Sequence, residues 1–341
     1  MSELIVFENV EPKPAPASGA VDVGPVERWK TILSAKAAKW GMPAGDEWRC
    51  LLHNNYHPTV ATINVLWFHQ DEYYPRAFTK VRKEDVLIRE FKKLEAIHQA
   101  AGDYVPKPLS VDKVDGVWML WMAGVPGSRI PPRKTYRRAE LVSIIDMLSS
   151  IHGAVKKSSG EHGSERHACM VAKPLEALIQ FGDSTIVREG CAELVQSHSV
   201  AWMNALPVIP QHGDLFLDNI LRHEDRLYVV DWEYFGVVDL PFYDLLTLLF
   251  SMLRVSGETP DSFDPELVQQ VPFLVERYAR SLGLPVSLMA ELLPLLMANW
   301  FYLYWVEGKE PMAAKAYRTI AAYFMNRRAW GEIFVGVKGA K

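Results

Sequence analysis

The stretch QHGDLFLDN, residues 211–219, sets a histidine, two aspartates and an asparagine among apolar residues. Twelve residues past Asn219, the run LYVVDWE, residues 227–233, carries Asp231 at the end of an apolar tract. Short apolar runs bounded by turn signals read as buried strands. The residues between, Arg222 to Asp225, supply a turn, so the chain folds back and Asn219 and Asp231 are expected to face one site.

Phosphoryl transfer from a nucleotide needs a short list of parts. It needs a base for the attacking hydroxyl, oxygen ligands for Mg²⁺, a lysine on the phosphates and an acidic residue that holds the lysine. Mg²⁺ keeps several waters, so one or two protein ligands suffice. Asp214 is the candidate base. Asn219, five residues on, and Asp231 are the candidate metal ligands. Any one of the three alone would read as an ordinary turn residue; together they match the pattern. His212 is expected to be structural, bonding backbone near Asp231, and Asp218 to face solvent or substrate. Glu233 reads equally as a second metal ligand or a strand-end charge.

The spacing HxDxxxxN followed by a strand ending in Asp resembles the catalytic and metal-binding loops of protein kinase-like folds. HGD in place of HRD, and DWE in place of DFG, is similar to the aminoglycoside phosphotransferase and choline kinase superfamily. The resemblance extends to VVDLPFYDL, residues 237–245, where it implies that Asp244 braces the catalytic loop, and to LSSIHG, residues 148–153. MLWMAGVPG, residues 119–127, resembles the family's hinge, which implies adenine contacts at Met122 and Ala123. AFTKV, residues 77–81, resembles its third strand, which makes Lys80 the phosphate lysine. Glu90 is then the implied helix partner, with Glu84 and Glu95 as competitors. One departure stands out: the loop expected to cover the phosphates, HNNYHPT at 53–59, has no glycine. Asn54 and Asn55 are the residues there that best tolerate a left-handed backbone.

Outward from these motifs the chain divides in texture. Residues 1–26 are rich in Pro, Ala and Gly and read as a flexible leader. Residues 27–127 read as a nucleotide-binding lobe. It begins with a helix at 27–40 and continues with strands at 48–53, 60–69 and 76–82, separated by turns at Asn54-Asn55 and Asp71. A helix at 85–101 follows, capped by Asp85 with Val86, Phe91, Leu94 and Ile97 on its apolar face. A hairpin then turns at Asp115-Gly116. Residues 128–335 read as a mainly helical catalytic and substrate lobe, with helices at 138–152, 174–181, 185–204, 241–254, 265–282, 286–305 and 311–329. The expected fold class is α+β, a two-lobed protein kinase-like fold with nucleotide in the cleft.

The 341 residues are 49% hydrophobic and 23% charged, with a net charge of −4, which gives no general attraction to nucleic acid. Cys50, Cys169 and Cys191 lie far apart and form no CxxC pair, so neither a zinc site nor a disulfide framework is indicated. No secretory signal or membrane-spanning segment is seen, and a cytoplasmic protein is expected. Trp300, Tyr304 and Glu307 fall at helical spacing. They read first as packing and second as a cage for a quaternary ammonium or a platform for a sugar ring. The basic run 131–138 reads as a solvated helix start. Asp261, Asp264 and Glu266 are too few to mark a polycation site.

The expected activity is Mg²⁺-dependent transfer of the γ-phosphate of ATP, with GTP also open, to a hydroxyl of a sugar, aminoglycoside or amino alcohol. The alternatives are a nucleotide-binding pseudokinase, a protein kinase and a kinase of a cell-surface saccharide precursor.

Overall fold

The computed structural model describes residues 26–336 apart from 46, 57–60, 132, 134, 158–162 and 256–259. The leader up to residue 25 and positions 57–59 of the glycine-free loop lie outside the described residues. The chain forms two compact units. The first holds residues up to Arg129 together with Leu221–Val230; the second holds Ile130–Ile220 and Asp231 onward.

The first unit opens with α1 (Val26–Ala37) and strands β1 (Trp48–Tyr56), β2 (Ala61–His69) and β3 (Ala77–Arg82). Then come α2 (Val86–Ala101), β4 (Pro108–Val114), β5 (Val117–Ala123) and the short β6 (Ser128–Arg129). Strands β1 to β5 make one antiparallel sheet in the order β1-β2-β3-β5-β4. Side chains alternate across a strand, and in β2 this puts Ile63, Val65 and Trp67 on one buried face. Trp29, Leu33 and Ala37 of α1 pack with them and with Val81, Met119 and Trp121. Each such large side chain contributes about 1.5–3 kcal/mol on burial. The indole N–H of Trp67 is satisfied by the Thr79 hydroxyl at 2.9 Å. The opposite face carries Asn64, paired with Lys80, which is itself paired with Leu120.

Three local expectations change here. Asn54 and Asn55 do not turn; they pair with Ile63 and Thr62, because β2 continues the ladder as far as Ala61. Asp85 sits at the N-cap of α2, but its side chain makes no capping bond; its carbonyl accepts from Ile88 N–H at 3.0 Å. The buried stripe of α2 is Leu87, Glu90, Leu94, Ile97 and Ala101, with Val86 and Phe91 at its margin. The stripe is rotated because α2 packs on β4 and β5, which draws Glu90 inward. Asp115 (φ 49°) and Gly116 (φ 82°) make the expected hairpin turn. Strands β7 (Ile220–His223) and β8 (Arg226–Val229) form a second sheet with β6. Val229 N–H also donates to the carbonyl of Tyr104 at 2.8 Å.

The second unit is helical: α3 (Arg138–Val155), α4 (Gly163–His167), α5 (Lys173–Phe181), α6 (Thr185–Ser197), α7 (Val200–Ala205), α8 (Tyr243–Leu253), α9 (Pro265–Ser281), α10 (Ser287–Val306), α11 (Glu310–Met325) and α12 (Arg327–Val335). Residues 185–204 form two helices, because the Ser199 hydroxyl accepts from Trp202 N–H and starts α7 afresh. Likewise Asn326 (φ −143°) ends α11, and its side chain accepts from Ala329 N–H to begin α12. A π-helical segment, Ala168–Ala172, joins α4 to α5. Nearly all of α10 from Leu292 to Tyr304 is buried, and its polar Asn299 donates to the carbonyls of Leu295 and Met170, both at 2.8 Å. No helix among the described residues is long and apolar enough to cross a membrane.

Candidate active site

In the first unit, the Lys80 ammonium donates to Glu90 Oε1 at 3.0 Å, with both side chains less than 10% exposed. Glu90 therefore reaches Lys80. A buried ion pair is weak evidence for stability; here it fixes the lysine's direction on the sheet face shared with Leu120. Met122 pairs with Phe78 and Pro108, and the N–H of Ala123 donates to the Lys107 carbonyl at 2.8 Å. The following Gly124 is required by packing, since a Cβ there would lie 2.0 Å from the Pro75 carbonyl oxygen.

In the second unit, the loop 211–219 is held from beneath by Asp244, in the first turn of α8. Its carboxylate accepts from His212 N–H at 2.5 Å, Gly213 N–H at 3.0 Å and His152 Nε2 at 3.0 Å. The Gln211 side chain closes the set by accepting from Asp244 N–H at 2.9 Å. Tyr278 bonds the far nitrogen of His152 at 2.6 Å. Burial opposes the charge on Asp244, yet the hydrogen bond and charge of His152, followed by His212 and Gly213 N–H, hold its carboxyl below the usual range. Thr247 donates to the Leu215 carbonyl at 3.1 Å, and Leu217 N–H donates to Ser251 Oγ at 3.2 Å. Gly213 has φ 92°, and a Cβ on it would meet Tyr234 Cβ at 2.7 Å, so this position of the HGD motif admits glycine only.

His212 Nδ1 accepts from Asp214 N–H at 3.2 Å, and its ring meets Trp232, the residue after Asp231, edge-on at 4.6 Å. Asn219 donates its Nδ2 to the Asp214 carbonyl at 2.8 Å, so its side-chain oxygen is the end left to meet a cation. Asp218 is exposed. Asp231 is exposed and left-handed (φ 68°, ψ 59°), a conformation Asp tolerates better than most residues. The Asn219 amide oxygen and the Asp231 carboxylate are hard oxygen donors, a set suited to Mg²⁺.

The Asp214 carboxyl is pushed up to about 7, first by burial; Lys309 draws it down, while Asp231, Glu233 and Asp244 push it further up. It lines a small, partly open cavity together with Gly213, Tyr234, Leu303, Tyr304, Glu307 and Lys309. Tyr304 and Glu307 thus reach the cavity, whereas Trp300 is core, packed 5.0 Å from the Phe250 ring. Tyr234, Leu303 and Lys309 were not singled out by the sequence. Tyr234 lies three residues past Asp231, and Lys309 follows the helix-ending Gly308, but neither position carries a pattern of its own. Asp264 caps α9 by accepting from Glu266 and Leu267 N–H groups, so it is engaged structurally.

An antiparallel sheet whose β3 lysine pairs with a glutamate of α2, and a helical unit carrying HGD and DWE loops, define a protein kinase-like fold. The model of the Phosphotransferase enzyme family matches residues 62–280, more than half of the chain, and the chain belongs to that family. Choline kinase from Cryptosporidium parvum Iowa II has a similar structure, with a TM-score of 0.57 at 13% identity over 89% of this chain and 95% of that one. A choline/ethanolamine kinase family protein from Mesorhizobium loti gives 0.52 at 18% identity, covering 91% and 99%. A thermostable mutant of aminoglycoside phosphotransferase APH(4)-Ia, in ternary complex with ADP and hygromycin B, gives 0.51 at 16% identity, covering 88% and 98%. Protein LicA of Haemophilus influenzae is 45% identical over 40 residues, 12% of this chain. That stretch spans only 15% of LicA's own length.

Proposed function

We propose that this phosphotransferase moves the γ-phosphoryl group of ATP to a hydroxyl of a small molecule seated in the cavity at Asp214. The carrying observation is that cavity: a carboxylate at the HGD position forms its wall, beside two tyrosines, a glutamate and a lysine. The similar structures, a choline kinase and an aminoglycoside phosphotransferase in complex with ADP and hygromycin B, support the same reading.

Asp214 takes the proton of the acceptor hydroxyl as that oxygen bonds to the γ-phosphorus, and the bond to the β-phosphate oxygen breaks to release ADP. Lys80, directed by Glu90, orients the phosphates, and Met122 and Ala123 border the adenine. Asn219 and Asp231 would hold Mg²⁺, which neutralises phosphate charge when bound. The burial that raises Asp214 makes it a competent base near neutral pH.

The test is ADP release from ATP and Mg²⁺ across sugars, amino alcohols and aminoglycosides. Asp214→Asn is expected to lower kcat by roughly 10²–10⁴-fold while the fold persists. Turnover of Asp214→Asn at near the parent rate would refute the assignment.

A further inference from the structure

The cavity at Asp214 already holds a cation of the chain itself. Gly308 (φ 67°) ends α10, where its N–H donates to the Trp305 carbonyl and Lys309 N–H donates to the Tyr304 carbonyl at 2.9 Å. This closure fixes the Lys309 backbone against the last helical turn. The side chain then returns over the same residue: its Nζ lies 5.9 Å from the Tyr304 ring centre and 5.5 Å from that of Tyr234. It also lies 3.5 Å from the Tyr234 hydroxyl. An ammonium within about 6 Å of an aromatic face is attracted by the ring quadrupole, and here two rings share one ammonium. Glu307 and Asp214 line the same space and add negative charge. Ring faces backed by carboxylates are the features that recognise a cationic nitrogen, and Lys309 engages them.

We infer that Lys309 determines acceptor specificity: its tethered ammonium fills the seat a cationic acceptor nitrogen would take, so the pocket favours an uncharged sugar or polyol over an amino alcohol. The inference rests on the cavity being the acceptor site. Two like charges held a few ångströms apart repel each other, and the cavity is small. An uncharged polyol meets no such opposition. Its hydroxyls donate to Glu307 and accept from Lys309, and one of them faces the Asp214 carboxylate.

Two measurements test this on the full chain. The first is calorimetric binding of tetramethylammonium to the parent protein, Lys309→Met and Lys309→Arg. Lys309→Met is expected to bind at least about tenfold more tightly than the parent, since both ring faces are released, and Lys309→Arg as weakly as the parent. Equal affinity of parent and Lys309→Met overturns the inference. This measurement needs no turnover, so it decides the matter even if phosphoryl transfer itself fails.

The second is ADP release with neutral monosaccharides and glycerol against choline and ethanolamine. The parent is expected to prefer the neutral set. Lys309→Met should shift the kcat/KM ratio toward the amino alcohols by about tenfold or more, through KM. A parent preference for choline or ethanolamine, or an unmoved ratio, overturns it. Silence of all three proteins on every acceptor counts against the phosphotransfer reading, and the binding measurement then stands alone.

Discussion

Asp244→Asn replaces one carboxylate that accepts three donors with an amide that has a single acceptor oxygen. In the parent, one carboxylate oxygen takes His212 N–H at 2.5 Å and His152 Nε2 at 3.0 Å, and the other takes Gly213 N–H at 3.0 Å. If the amide oxygen keeps the doubly bonded position, its NH₂ group faces Gly213 N–H, donor against donor. A hydrogen bond to a charged group contributes about 1.5–3 kcal/mol, and a buried stranded donor costs about 1–3 kcal/mol. The expected destabilisation is about 3–5 kcal/mol, the size found when a buried charged pair is broken. The pH dependence follows from the depressed carboxyl of Asp244. Its contribution is fully present above the unfolded value, about 3.9, and is lost as pH falls through the lower folded value. Urea unfolding followed by tryptophan fluorescence should therefore show a constant gap between parent and variant from pH 8 to 5, narrowing below about pH 4. A gap under about 1 kcal/mol at pH 7, or one that widens in acid, would refute the reasoning.

Glu90→Ala removes the carboxylate that accepts from buried Lys80. A loss of about 3 kcal/mol in stability and a rise in the KM for ATP are expected, read by denaturation and by ADP release; an unchanged KM would separate the pair from nucleotide binding. Gly190→Ala in α6 places a Cβ 2.3 Å from the Phe324 ring. Overpacking costs about 1–3 kcal/mol, against a helix-propensity gain of up to about 1 kcal/mol, so a lower Tm is expected, and a raised Tm would show that the ring moves freely.

The catalytic stretch was legible because its information is local. HxDxxxxN is a pattern within eight residues, although α8 holds the loop in place, and the Asp115-Gly116 turn needs only its two backbone angles. Alternation in β2 was equally plain, since one face meets α1. What the sequence concealed depends on tertiary packing. Of the apolar face read for α2, Leu94 and Ile97 are buried, while Leu87 and Glu90 rather than Val86 and Phe91 complete the stripe toward β4 and β5. Helices that seemed continuous at 185–204 and 311–329 are divided by single capping side chains, Ser199 and Asn326, whose bonds no periodicity reveals. The cavity was only half visible. Tyr304 and Glu307 showed helical spacing, but Trp300 shares that spacing and is core. Tyr234 and Lys309 come from separate segments that meet only on folding.

The hairpin Leu221–Val230 has a consequence for the order in which the protein can be made. It belongs to the first unit, yet more than ninety residues of the second are synthesised before it, beginning at Ile130. On the ribosome, β6 waits for its partner strand, and the Tyr104 carbonyl waits for Val229 N–H, until residue 230 has emerged. A fragment ending at Arg129 is thus an incomplete unit, and a chain stalled at any point before the hairpin presents an unpaired β6 to its surroundings. The sheet-bearing unit therefore cannot be completed until a long piece of the other unit has already been made.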